Sequence, residues 1–100
     1  MITQQKWSQL SFAQRMGHIG SELSRARHWE ARGDGVSQRN ALGRALELVD
    51  LTLECEKHFP RLKELTRLRE VICDWYCGSQ YYEVSHDALL DYCTQFAMRI

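Results

Sequence analysis

The chain has one proline, no block of like charge and no long apolar run, and each scarcity removes a class of function. Without proline on either side of Pro60, nothing interrupts long helices there. No apolar stretch approaches the roughly 18 residues needed to cross a bilayer, and the stretch from Met1 to Trp7 lacks the hydrophobic segment of a secretory signal. A membrane is therefore not expected as a partner, and the expected location is cytoplasmic. Thirteen basic residues balance thirteen acidic ones, for a formal net charge of zero. With no basic arm to hold a polyanion, nucleic acid is disfavoured.

Catalytic signatures are missing as well. The sequence contains no Gly-rich phosphate loop, no Gly-x-Ser-x-Gly, no His-Glu-x-x-His and no Cys-x-x-Cys. These motifs serve phosphate binding, acyl transfer, zinc proteolysis and dithiol exchange. No catalytic residue and no cofactor is assigned. The four cysteines, Cys55, Cys73, Cys77 and Cys93, read as reduced thiols. Cys55 with His58 precedes the Phe59-Pro60 break, whereas Cys73 with Cys77 lies far along the following segment. At 1.5 Å rise per residue the two pairs stand roughly 20 Å apart in an antiparallel hairpin, too far for one zinc ion, so no metal site is expected.

What the chain does have is helical periodicity in four successive stretches, with 44% hydrophobic residues in 100, enough for one core. The first stretch runs from about Ser8 or Ser11 to Arg32. Ser11-Phe12-Ala13-Gln14 matches a capping box, and Phe12, Met16, Ile19, Leu23 and Ala26 form its apolar stripe. Gly33-Asp34-Gly35 makes a turn. The second stretch starts at an N-cap candidate, Ser37, reaches about Lys57, and buries Ala41, Leu42, Ala45, Leu46, Val49 and Leu53. Pro60 then ends one helix and opens the next. The third stretch faces inward with Leu62, Leu65, Leu68, Ile72 and Tyr76, carries Trp75 on a shoulder, and stops at Gly78. Ser79 or Ser85 caps the fourth, whose apolar side holds Tyr81, Val84, Ala88, Leu89, Tyr92 and Phe96. Short loops make neighbours antiparallel, so the expected fold is an all-α, up-down-up-down four-helix bundle forming one domain over residues 1–100. Three long helices with a C-terminal helical arm are the alternative.

Several residues fall outside the core pattern. His18, Glu22, Arg25 and Trp29 form a stripe on the first helix opposite its core face, a candidate partner or ligand surface. A second stripe of small residues, Ala13, Gly17, Gly20 and Ser24, predicts close approach of another helix, within the chain or across a homodimer seam, because each helix-interior glycine costs about 1 kcal/mol. Glu47, Asp50 and Glu54 make an acidic stripe, read as a solvated face. Leu48, Leu51 and Cys55 form an apolar ridge where water is expected, and six of the ten aromatics fall between Trp75 and Phe96. Such surface predicts self-association or a protein partner. Arg69 sits with apolar neighbours on its wheel and needs an anion. Counting back through the turns places Asp50, and Glu22 beyond it, at its level, which predicts a polar layer.

Three blocks carry a resemblance: Gly20-Ser21-Glu22-Leu23-Ser24-Arg25-Ala26-Arg27, the run from Arg44 to Leu53, and Arg67-Leu68-Arg69-Glu70-Val71-Ile72-Cys73-Asp74. Over about residues 17–77 they resemble a group of small bacterial all-helical proteins, whose bundle is similar to that of the HEPN superfamily. The resemblance implies fold more than activity, since many HEPN proteins are ribonuclease toxins or companions of nucleotidyltransferases. Those nucleases use an arginine and then a histidine on one helix, with four to six residues between them. Arg15-Met16-Gly17-His18 and Arg25-Ala26-Arg27-His28 have only two intervening residues, so no catalytic residues carry over. The expected function is a non-enzymatic helical interaction module, a homodimer that binds a protein partner. A HEPN-like component of a two-gene system, a weak ribonuclease or a nucleotidyltransferase companion, is the alternative.

Overall fold

A computed structural model describes residues 4–78 and 86–97. They form five α-helices: α1 Gln4–Ser8, α2 Phe12–Ala31, α3 Gly35–Cys55, α4 Phe59–Cys77 and α5 His86–Ala97. No strand occurs among the described residues, and none of these helices is long and apolar enough to cross a membrane.

The helix ends follow local chemistry. Ser11 Oγ accepts the Gln14 N–H at 3.1 Å while Gln14 Oε1 accepts the Ser11 N–H at 2.8 Å, the reciprocal box expected. At α3 the cap is Asp34 and not Ser37. Its carboxylate accepts both the Ser37 N–H at 3.0 Å and the Ser37 hydroxyl at 2.9 Å, because it sits three residues earlier, where those groups are still unpaired. Pro60 lies in the first turn of α4, where a missing N–H costs nothing, and Gly78 closes the helix with φ 68°. Tyr81, Val84, the Phe96 side chain and the candidate caps Ser79 and Ser85 lie outside the described residues.

One core joins the four long helices. Met16, Ile19, Leu23 and Ala26 of α2 meet Ala41, Leu42, Ala45 and Val49 of α3, Leu65, Leu68, Ile72 and Trp75 of α4, and Leu89 and Cys93 of α5. The backbones of α2 and α3, α3 and α4, and α2 and α5 pack closely. The seam between α2 and α5 explains Gly20: a Cβ there would stand 3.1 Å from Cys93 Cβ, so at this member of the small-residue stripe the close neighbour is a helix of the same chain. The inward place expected for Tyr76 and the shoulder place expected for Trp75 are both corrected. Trp75 is the buried residue, at 8% exposure, whereas Tyr76 is 37% exposed, because α5 covers the Trp75 side through His86.

Helix α1 had no expected counterpart. Trp7 is fully buried, and its indole Nε1 donates to Thr52 Oγ1 at 3.0 Å; the Thr52 hydroxyl donates in turn to the Leu48 carbonyl at 2.7 Å. The Arg15 guanidinium donates to the Trp7 carbonyl at 3.2 Å and the Ser8 carbonyl at 2.9 Å. A cation at a helix C-terminus satisfies carbonyls that have no partner within the helix. Arg15 thus fixes five residues that could not hold a helix alone.

Candidate functional site

On α3, Glu47, Leu48, Asp50, Leu51 and Glu54 recur at spacings that place them on one side of a helix. That side does not lie flat against solvent. Together with Glu22 of α2 and Arg44 it lines an open groove of about 450 Å³. Leu48 and Leu51 are half-buried, while Glu47, Asp50 and Glu54 are exposed.

Charge in the groove is distributed unevenly. Glu22, with a side chain only 12% exposed, is clamped by two arginines: Oε1 accepts from Arg25 Nη1 at 2.6 Å and Oε2 from Arg44 Nε at 2.8 Å. A nearly buried carboxylate needs such compensation, and both guanidinium groups keep contact with water. Asp50 accepts from Arg69 Nε at 2.7 Å. This hydrogen bond and the carboxylate's charge hold the Arg69 guanidinium above its ordinary pKa. Glu54 accepts from the neutral Gln4 amide at 2.7 Å.

The structure brings four sequence candidates, Glu22, Leu48, Asp50 and Leu51, into this one groove, and a fifth, Arg25, bonds to Glu22. It does not unite the stripe on α2. His18 is exposed, its ring 5.6 Å from that of Trp7 and tilted by 56°. Trp29 is half-buried, with its ring edge-on to His28 at 5.1 Å. The polar layer is also revised. Asp50 and Arg69 do pair, but at the surface, with 50% and 43% side-chain exposure, and Glu22 turns instead to Arg25 and Arg44. Arg69 is half-buried, and its long side chain keeps the guanidinium in contact with water while reaching Asp50.

Sequence patterning missed two further features. Helices α4 and α5 flank a groove of about 330 Å³ lined by Glu64, Arg67, Leu68, Val71, Ala88, Leu89 and Tyr92. Across it the Tyr92 hydroxyl donates to Glu64 Oε2 at 3.2 Å, and burial pushes the phenol's pKa up to about 12. At the other feature, the ring of His86 stacks on that of Trp75 at 3.8 Å and 14°, with Nδ1 3.0 Å from Glu30 Oε2. Arg27 bridges Glu30 and Asp87. No periodicity signals this cluster, because its members come from three helices. Among the described residues, no three His, Cys, Asp or Glu side chains stand close enough to hold a metal ion.

No family model matches the chain, and no curated protein or solved structure compared with it gives a match. Function is therefore argued from the groove itself. Its lining offers carboxylates, one guanidinium and two leucines, with no thiol, hydroxyl or imidazole to attack or relay a proton. Carboxylates and a guanidinium can hold charged groups, and the leucines can pack against apolar ones.

Proposed function

We propose that this chain is a non-catalytic interaction module in which α2 to α5 form an up-down-up-down four-helix bundle and the α3 face binds a helical segment of a protein partner. The observation that carries this reading is the placement of Leu48 and Leu51, two leucines held half-exposed at the floor of a groove between charged walls. Helix-in-groove recognition uses this arrangement of apolar floor and polar rim. The antiparallel order is supported by contacts between helix pairs: Glu22 with Arg44, Asp50 with Arg69, and Glu30 with His86. Self-association belongs to the same proposal, with the apolar groove between α4 and α5 as its seat.

A HEPN-like ribonuclease needs an arginine and a histidine acting together. Arg25 is engaged by Glu22, and His18 stands beside Trp7, which favours the module over the nuclease.

The test combines capture of the native complex with the Leu51→Asp variant. Leu51 is half-buried and lies outside the central core, so circular dichroism and melting of the variant should match the parent. The partner should be lost from the variant and retained by His18→Ala. A partner held equally by Leu51→Asp overturns the assignment of this face.

A further inference from the structure

We infer that the occupant of the α3 groove is a basic amphipathic helix, an inference that rests on the interaction-module reading above. Two of the groove's carboxylates are already satisfied. Glu22 is held by Arg25 and Arg44, and Asp50 by Arg69. Glu47 and Glu54 differ: both are exposed, neither pairs with a cation among the described residues, and Glu54 receives only the uncharged amide of Gln4. They stand seven residues apart on one helix, about two turns or 10 Å, with Leu48 and Leu51 between them. The groove therefore presents an apolar floor bounded by an uncompensated negative charge at either end.

A helix laid along this floor places apolar side chains at i and i+3 or i+4 against Leu48 and Leu51. One turn to either side, lysine or arginine meets Glu47 and Glu54. A second copy of this chain is a poor occupant. Two-fold pairing of antiparallel α3 helices sets the Glu47 of each copy against the Glu54 of the other, like charge on like at both ends.

Three fluorescein-labelled peptides of about 18 residues, long enough to hold a helix, test this against the full chain by fluorescence anisotropy. One carries a leucine stripe with flanking lysines, the second the same stripe with flanking glutamates, and the third the lysines with alanine in place of the stripe. At low salt the lysine–leucine peptide should bind at least tenfold more tightly than either of the others. Its advantage over the glutamate peptide should shrink several-fold near 0.5 M salt, where charges are screened within about 4 Å. The Glu47→Lys, Glu54→Lys double variant should reverse the preference. A Glu47→Gln, Glu54→Gln variant, which keeps shape and surface polarity, should weaken the lysine–leucine complex at least threefold. Equal affinity for the two leucine-striped peptides defeats the charge inference and leaves the module reading standing. Equal affinity for the leucine and alanine peptides shows a charge-only contact and defeats the amphipathic helix. Failure of all three to bind overturns the basic-helix inference, while the module reading stands or falls on native capture with Leu51→Asp.

Discussion

Trp7 Nε1 and Thr52 Oγ1, 45 residues apart, meet in a buried hydrogen bond of 3.0 Å. It couples α1 to the last turn of α3, while Arg15 of α2 holds the Trp7 and Ser8 carbonyls of the same short helix. Thr52→Val keeps the shape but leaves the indole N–H buried without an acceptor, a loss of about 1–3 kcal/mol. For a chain of this size that corresponds to a fall in Tm of roughly 4–8 °C per kcal/mol. Trp7→Ala should cost more, about 3–5 kcal/mol, since it also empties the site. Urea unfolding of the two variants gives the order directly.

Two glycines in helices make a matched comparison. Gly20 faces Cys93 Cβ at a prospective 3.1 Å, while a Cβ at Gly43 meets nothing within 4 Å. Gly43→Ala should stabilise by about 0.5–1 kcal/mol through helix propensity. Gly20→Leu should destabilise by at least 1–3 kcal/mol through overpacking of the seam between α2 and α5. Thermal melts of both variants read the contrast; equal shifts of the same sign would show that the seam is loose.

Cysteine reactivity should follow burial. Cys93 is fully buried and desolvation pushes its thiol up to about 12, whereas Cys77 is exposed. Because the thiolate is the reacting form, the buried Cys93 thiol stays protonated and unreactive at pH 8. Iodoacetamide at that pH should label Cys77 early and leave Cys93 unlabelled until the chain is unfolded, as peptide mass mapping will show.

The cap of α3 should impose an acid limit. Hydrogen bonds from Ser37 hold the Asp34 carboxyl below its ordinary pKa in the folded chain. Its contribution is thus complete above the unfolded carboxyl pKa and is lost as pH falls through the folded value. Asp34→Ala should lower Tm at pH 7 and lower it less at pH 2, where the parent has already lost the ionised cap. A shift independent of pH would mean that the ionised carboxylate adds nothing.

The features legible in sequence were those set by neighbouring residues. Ser11 with Gln14, Pro60 and Gly78 act through their own backbone, and each stands where the pattern predicts. Asp34 and Ser37 are both good caps in one turn, and only the conformation of Asp34, φ −91° and ψ 85°, decides between them. Trp7 gave no signal, because five residues contain no helical period and its acceptor lies on a distant helix. The exchange of Trp75 and Tyr76 has a related cause: a wheel gives the direction of α4 toward α3, while the burial of Trp75 depends on where His86 of α5 arrives. In the groove, the face shared by Leu48 and Leu51 was readable from α3 alone. The clamp on Glu22 was not, since it required knowing that Arg44 lies across from it.

The bond from Gln4 to Glu54 has a practical consequence for anyone isolating a partner. It brings Gln4, the first described residue, to one end of the α3 groove, so on the reading proposed above an N-terminal affinity handle would compete with a partner there. A polyhistidine handle, cationic once protonated, would compete for the carboxylates at the rim. On the reading proposed above, purification through an N-terminal fusion would select against such a complex, and cleaving the fusion before capture would restore access.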